Sequence, residues 1–168
     1  MRIARGDLWD YWEKGHTVVV PTNLFVSPRG KAVMGRGVAR QASDKFPGLE
    51  FRYGKSIKKG TPLVFYNDIR LLMFPVKPAR GEDGVPGFMA KADIRLIRDG
   101  VRRLKEKWHH GPVAMPAVGC GFGELQFKDV FPIINELPDH FTLVLRDETV
   151  FSKYRDSFRP GARIDRGL

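Results

Sequence analysis

One cysteine, Cys120, stands in 168 residues, so the chain forms no disulfide with itself and holds no cluster of thiolate metal ligands. That poverty of thiols agrees with a reducing compartment. No apolar run approaches the roughly eighteen residues that cross a bilayer. The opening MRIARGDLWDYWEKG lacks the apolar core and small-residue cleavage site of a signal peptide. A cytoplasmic protein without a membrane partner is expected. Internal repeats, low-complexity blocks, zinc-finger spacings, an RNP-type aromatic motif and a long lysine block are also missing. No histidine and carboxylate spacing suggests a metal, so none is expected. A Walker-type Gly-Lys-Ser/Thr is excluded because Gly30-Lys31 is followed by Ala32. Negative charge is the scarcer sign: 19 Asp and Glu against 29 Lys and Arg leave a net charge of +10 and a pI near 10.0. Such a surplus biases a protein toward polyanions, through the counterions that neutralised phosphates release, or is simply a solvated basic surface.

What is present fills one core. Hydrophobic residues make up 42% of the chain, enough for a single domain of ordinary size. Apolar, β-branched segments at Arg2–Arg5, Thr17–Pro21, Pro62–Tyr66, Leu71–Val76, Pro112–Ala117 and Phe141–Arg146 read as strands. TVVV, LLMF and TLVL are nearly continuous apolar runs and suit central strands covered on both faces. In KADIRLIRDGVRRLKEKW, residues Ile94, Ile97, Val101, Leu104 and Trp108 fall on one helical face, with Gly100 a small cost. Further helices are expected at Gly37–Lys45, Glu50–Ser56, Lys128–Glu136 and Glu148–Ser157. Strands alternating with helices imply a layered α/β domain whose ligands bind beyond the carboxyl ends of the strands. The weakest order is expected in Lys77–Phe88 and in the tail RPGARIDRGL.

Two glycine strings follow strands. VVVPTNLFVSPRGKAVMGRGVARQ delivers Thr22 and Asn23 to a strand end, then reaches Gly35 and Gly37 at a helix start, where unpaired N–H groups and the macrodipole favour an anion. Alone, GRGVAR is a broken dinucleotide fingerprint, as consistent with a tight corner as with a phosphate cradle. VAMPAVGCGFGELQF repeats the arrangement with Gly119, Gly121 and Gly123. Two such loops on one edge suit a diphosphate held from both sides.

These strings resemble those of the macrodomain family, and within it the branch that includes the terminal ADP-ribose protein glycohydrolase and the antitoxin macrodomains that remove ADP-ribose from DNA. RGDL resembles the opening motif that places an aspartate, here Asp7 beside Leu8, on adenine. PTN ends at Asn23, where the family sets an asparagine against the distal ribose. VMGRGVARQ, with Val33, Met34, Gly35, Gly37 and Val38, resembles the branch's VMGKGIA-Q loop. PAVGCGFGELQF, with Gly119, Cys120, Gly121, Phe122 and Gly123, resembles its second loop. MFPVK resembles the segment that places a catalytic lysine, here Lys77. The resemblance implies a three-layer α/β/α domain over residues 1–158, a mixed, mostly parallel sheet of about six strands, and a weakly ordered tail at 159–168. It implies a monomer without a cofactor, with ADP-ribose as ligand or product and hydrolysis of an ADP-ribosyl linkage as activity. The acceptor would be a DNA base, suggested by the positive surface, or an acidic side chain. A phosphatase on ADP-ribose 1″-phosphate, a non-catalytic ADP-ribose reader and a plain nucleic-acid binder remain as alternatives. Two positions depart from the pattern. Val20 replaces the first asparagine of Asn-x-x-Asn, and Gly123 stands where the glycohydrolase has an aspartate, with Glu124 beside it.

Ordinary roles stand beside the special ones. Lys77, just past an apolar strand, either closes that strand or, desolvated near other cations, offers a neutral amine to the anomeric carbon. Glu124 is an acid–base candidate or a solvated partner of a helix dipole. Asp7 equally suits an N-cap before LWDYW. Phe122 is placed against the ribose and Phe127 in the core, Cys120 reads as a small buried residue, and Arg146 is either an adenine-stacking or a surface arginine.

Overall fold

The central strands are buried along nearly their whole length, and successive side chains go to opposite faces of the sheet, which builds the three layers. Val18, Val20, Leu71, Met73 and Ala114 pack on one face of the sheet, while Val19, Leu72, Phe74, Val113 and Met115 pack on the other. The computed structural model describes residues 1–146, 148–155 and 163–165. In chain order the elements are β1 (Arg2–Arg5), α1 (Leu8–Glu13), β2 (Thr17–Asn23), α2 (Gly37–Lys45), α3 (Leu49–Lys58), β3 (Val64–Tyr66), β4 (Leu71–Lys77), α4 (Ile94–Lys107), β5 (Val113–Met115), α5 (Phe127–Ile134), β6 (Phe141–Leu145), α6 (Glu148–Arg155) and β7 (Arg163–Asp165). Two 3-10 turns, Glu82–Gly84 and Gly87–Met89, lie between β4 and α4. No described helix is long and apolar enough to cross a membrane.

Among the described residues the sheet has seven strands in the order β3-β4-β2-β5-β6-β1-β7. Only β3 runs antiparallel to its neighbour; the other pairings are parallel. Helices α1, α2 and α3 cover one face through Leu8, Trp9, Ala42, Leu49 and Tyr53. Ile97, Val101 and Leu104 of α4, Phe127, Val130 and Phe131 of α5, and Phe151 of α6 cover the other. Adjacent strands β2 and β5 therefore send their following helices to opposite faces. A crevice must open between their carboxyl ends, at the point where the winding reverses.

Three expectations change. The sheet gains a seventh strand, β7, from a tail expected to stand outside the fold: residues 163–165 pair with Arg2, Ile3 and Ala4. The rest of that tail, 159–162 and 166–168, and the last residues expected in α6, 156–157, lie outside the described residues. The cap expected of Asp7 is present, its side chain accepting from Trp9 N at 2.8 Å, but it opens a six-residue helix, α1, rather than a mere turn, as Leu8, Trp9 and Tyr11 bury themselves. The Gly- and Pro-rich segment after Lys77 is folded, with Gly81 N donating to Val85 O at 2.8 Å and Gly87 N to Ala79 O at 2.9 Å. Gly100 of α4 also changes meaning, since a Cβ there would lie 2.5 Å from the Phe74 ring. The helix gives up a little propensity and in return seats on β4.

Tyr53 ties α3 to the sheet at the edge that matters for the site. It is fully buried, shares a 2.7 Å hydrogen bond with Thr22 Oγ1 and donates to Pro62 O at 2.8 Å. Burial pushes its phenol well above the ordinary tyrosine range, so it stays neutral. Tyr53→Phe leaves the Thr22 hydroxyl without its acceptor and Pro62 O without its donor, and chemical denaturation should show a loss of about 1–3 kcal/mol.

Candidate functional site

A cleft of about 590 Å³ opens over the β2–β5 crevice. Residues from the carboxyl ends of five parallel strands line it: Asp7 and Leu8 past β1, Pro21 to Asn23 of β2, Val76 and Lys77 of β4, Pro116 and Ala117 past β5, and Val144 to Arg146 at β6. From β4 to β1 is four strand steps, about 19 Å at ordinary spacing. A ligand touching both Lys77 and Asp7 must be long and extended. A smaller hollow of about 340 Å³ beside α1 shares only Asp7 with this cleft and is lined mostly by exposed charges.

The middle of the cleft suits an anion. Gly35, Arg36, Gly37 and Val38 line it, and Gly37 opens α2 with a left-handed φ of +57°. No side chain caps α2, so its first N–H groups and the positive end of its dipole stand uncapped where these residues line the cavity. Opposite, Gly119 to Gly123 form the facing wall. That loop is closed on itself, with Leu125 N donating to Gly119 O at 2.9 Å and Ala92 N to Gly123 O at 2.9 Å. Gly123 is buried, and a Cβ there would lie 2.5 Å from Gly119 O and 2.8 Å from the Ala92 Cβ. The space a side chain at Gly123 would need is thus taken by loop backbone and Ala92, and none fits without rebuilding the loop.

At the β4 end, β2 and β4 place Asn23 and Lys77 opposite one another just past a register shift in the ladder. Asn23 donates to Val33 O at 2.9 Å and accepts from Phe25 N at 2.9 Å, fixing both ends of the loop that leads to α2. Lys77 is half-buried, and its Nζ lies 3.4 Å from Phe88 O. Burial lowers its pKa below the ordinary lysine value, the Arg36 charge lowers it further, and Glu124 opposes both. Arg36 also holds its guanidinium 5.1 Å from the centre of the Phe122 ring. This cation–π pair joins the two loops across the cleft. Phe122 is 58% exposed, so a ligand can displace the clasp or slide beneath it.

At the β1 end, Asp7 is exposed, and Oδ1 is taken by its helix cap. Among the described residues nothing donates to its Oδ2. The cap and ligand roles are therefore compatible. Arg146 and Tyr154 complete this end, and Tyr154 stacks on Phe127 with ring centres 4.1 Å apart. Phe127 is buried, as expected, whereas Cys120 is only partly buried and lines the cleft.

Asp7, Leu8, Asn23, Val33, Gly35, Gly37, Val38, Gly119, Cys120, Gly121, Phe122, Gly123 and Lys77 thus come together around one cavity. Two expected residues do not. Met34 is 2% exposed and points into the core beneath α2 and α3, because its neighbours Val33 and Gly35 take the cleft side of the loop. Glu124 is exposed outside the cleft and reaches Lys77 only through its field. Gln41, Phe88, Met89 and Tyr154 line the cleft without having been expected there. Gln41 sits one turn after Gly37 and accepts from Trp9 Nε1 at 2.8 Å, a spacing that helical geometry makes available. Phe88 and Met89 arrive from the folded segment after β4, for which no local signal exists. Among the described residues no group of His, Cys, Asp and Glu is placed to hold a metal.

No family model matches the chain, and no curated protein does. Three of the solved structures similar to it are macrodomain proteins. Thermosipho africanus DarTG in complex with ADP-ribose aligns with a TM-score of 0.65 and 22% identity over 87% of this chain, which spans 42% of the Thermosipho chain. The macrodomain of Thermus aquaticus DarG gives 0.61 and 22% over 87% of this chain and 97% of that one. The macrodomain of Mycobacterium tuberculosis DarG gives 0.59 and 23% over 87% and 98%. Together with the mixed sheet, the three layers and the cleft at the switch point, these likenesses show that the chain has the macrodomain fold.

Proposed function

We propose that this protein binds ADP-ribose in the cleft and hydrolyses an ADP-ribosyl linkage there, with a DNA base as the acceptor. Adenine lies beside Asp7, the diphosphate between the α2 start and the 119–123 loop, and the distal ribose between Asn23 and Lys77. Binding of ADP-ribose is supported by the similar Thermosipho structure, which holds it. The observation that carries hydrolysis is Lys77 itself: a half-buried amine at the distal end of an anion-binding cleft, its charge disfavoured by burial and by Arg36. Its neutral form bonds to C1″, the bond from C1″ to the acceptor breaks with its electron pair leaving on the acceptor, and the acceptor takes up a proton. Water then displaces the lysine, leaving a hydroxyl at C1″ and a free amine. The excess positive charge supports DNA as the acceptor. Turnover of ADP-ribosylated DNA, with release of free ADP-ribose and an unmodified base, tests the reading.

Arg36 provides a second test. If the neutral amine acts, activity rises with pH through the lowered pKa of Lys77. Arg36→Gln removes a like charge, so protonated Lys77 persists to higher pH. The rising limb of the pH–rate profile should move upward in pH, while a limb unmoved by the substitution would separate Arg36 from Lys77.

One observation favours a second reading, a non-catalytic reader of ADP-ribose. The backbone around Gly123 excludes the aspartate that the glycohydrolase uses, and Glu124 lies outside the cleft. A wild type that binds ADP-ribose and turns over no ADP-ribosylated substrate would decide for it.

A further inference from the structure

The cations of this chain are not spread evenly in their availability. On α4, Arg95, Arg102, Arg103 and Lys105 are tied to Asp93, Asp99, Glu106 or Glu136. Beyond the distal end of the cleft the situation differs. Residues 26–32 fold back through the Val26–Ala32 bridge into a hairpin that docks on α3, with Ala32 N donating to Glu50 O at 2.9 Å. Lys31 and Arg52 there are held by Glu50 and Asp68. Arg29, Lys55, Lys58 and Lys59 make no ion pair among the described residues. Lys58 Nζ lies over the hairpin, 3.4 Å from where a Cβ on Gly30 would stand. Lys55 and Lys58 share a helix face with Phe51, which is 50% exposed although it is a large aromatic.

Contacts connect this surface to Lys77. Its amine lies against Phe88 O, the Phe88 ring meets Phe25 at 5.2 Å, and the guanidinium of Arg80 covers Phe25 at 5.8 Å. Phe25 leads directly into the hairpin. At the far side Tyr53 holds the same edge through Thr22. Cations that track a backbone, interleaved with an exposed aromatic ring, match a single strand, whose bases offer free faces for stacking; a duplex hides those faces.

We propose that the hairpin of residues 26–32 and the outer face of α3 form a track for a single nucleic-acid strand leading away from Lys77, with Arg80, Arg29, Lys55, Lys58 and Lys59 on its phosphates and Phe51 stacked on an unpaired base. The direction of the strand rests on the cleft's being a site for ADP-ribosylated DNA, while the track itself does not.

The test measures binding of a labelled, unmodified single-stranded oligonucleotide by anisotropy across a salt series. Proteins compared are wild type, the triple variant Arg29→Gln/Lys55→Gln/Lys58→Gln, Phe51→Ala, and a control on α4, Arg98→Gln/Lys107→Gln. The triple variant should bind at least about tenfold more weakly, with a salt slope smaller by about 2, from three lost phosphate contacts on a single strand. Phe51→Ala should lose roughly fivefold or more on the single strand and little on the duplex. Calorimetry with ADP-ribose should be unchanged in every variant, which shows an intact cleft. A wild type that ignores the oligonucleotide, a triple variant that binds like wild type, or an equal loss in the α4 control overturns the track. If the track binds as stated but modified DNA is not hydrolysed, the acceptor reading fails and the track stands. If modified DNA is hydrolysed with an unaltered KM in the triple variant, the track fails and the acceptor reading stands.

Discussion

Lys77→Ala is expected to lower turnover of an ADP-ribosylated substrate by about 10²–10⁴-fold, the range typical for losing a positioned catalytic group. Calorimetry should find ADP-ribose bound nearly as before. The two effects separate because Lys77 stands at one end of a cleft whose other anchors, the α2 start, the facing loop and Asp7, stay in place. Lys77→Arg divides the chemistry further. A guanidinium keeps the positive charge but is never neutral at working pH, so it cannot attack C1″. An arginine variant as inactive as the alanine variant supports the amine as nucleophile; one that retains most activity assigns the residue to charge stabilisation instead.

Gly123→Asp should damage the protein rather than restore a missing acid. A Cβ at Gly123 meets Gly119 O and the Ala92 Cβ at distances that real side chains do not tolerate, and the next residues cannot yield, because Gly119 O and Gly123 O are both held by backbone hydrogen bonds. Overpacking of this kind costs about 1–3 kcal/mol. As the loop opens, one wall of the diphosphate site goes with it, and ADP-ribose affinity should fall by at least about tenfold, or 1.4 kcal/mol. Gly121→Ala is the matched control. Nothing lies within 4 Å of a Cβ at that position, so denaturation should show little change. Equal damage at both positions would contradict the packing argument.

Much of the edge was legible in the residues, and the reasons are local. TVVV and LLMF read as central strands because their faces are covered on both sides, and α2 begins at Gly37 and ends at Lys45 as its period suggests. Strand ends then place Asn23 and Lys77 on one edge. The parts that escaped depend on contacts between distant segments. LWDYWE spans less than two turns, too short for a 3.6-residue period to be seen, and its helix exists because Asp7 caps it and three of its residues bury. RID at Arg163–Asp165 becomes a strand only because β1 has a free edge to pair with. Met34 lay in the right motif, yet its side chain turns inward. Arg36 carries no local sign of its role: its partner Phe122 and the Lys77 whose pKa it lowers are each tens of residues away.

Hydrolysis of an ADP-ribosyl linkage through Lys77 is the step on which the proposed function turns. Its most direct test is a turnover panel of ADP-ribosylated DNA, ADP-ribosylated glutamate on protein and ADP-ribose 1″-phosphate, run with wild type and Lys77→Ala. Wild type should release ADP-ribose from modified DNA, and the alanine variant, still binding ADP-ribose, should not. Release of inorganic phosphate from the third substrate alone, or equal activity in both proteins, would contradict this.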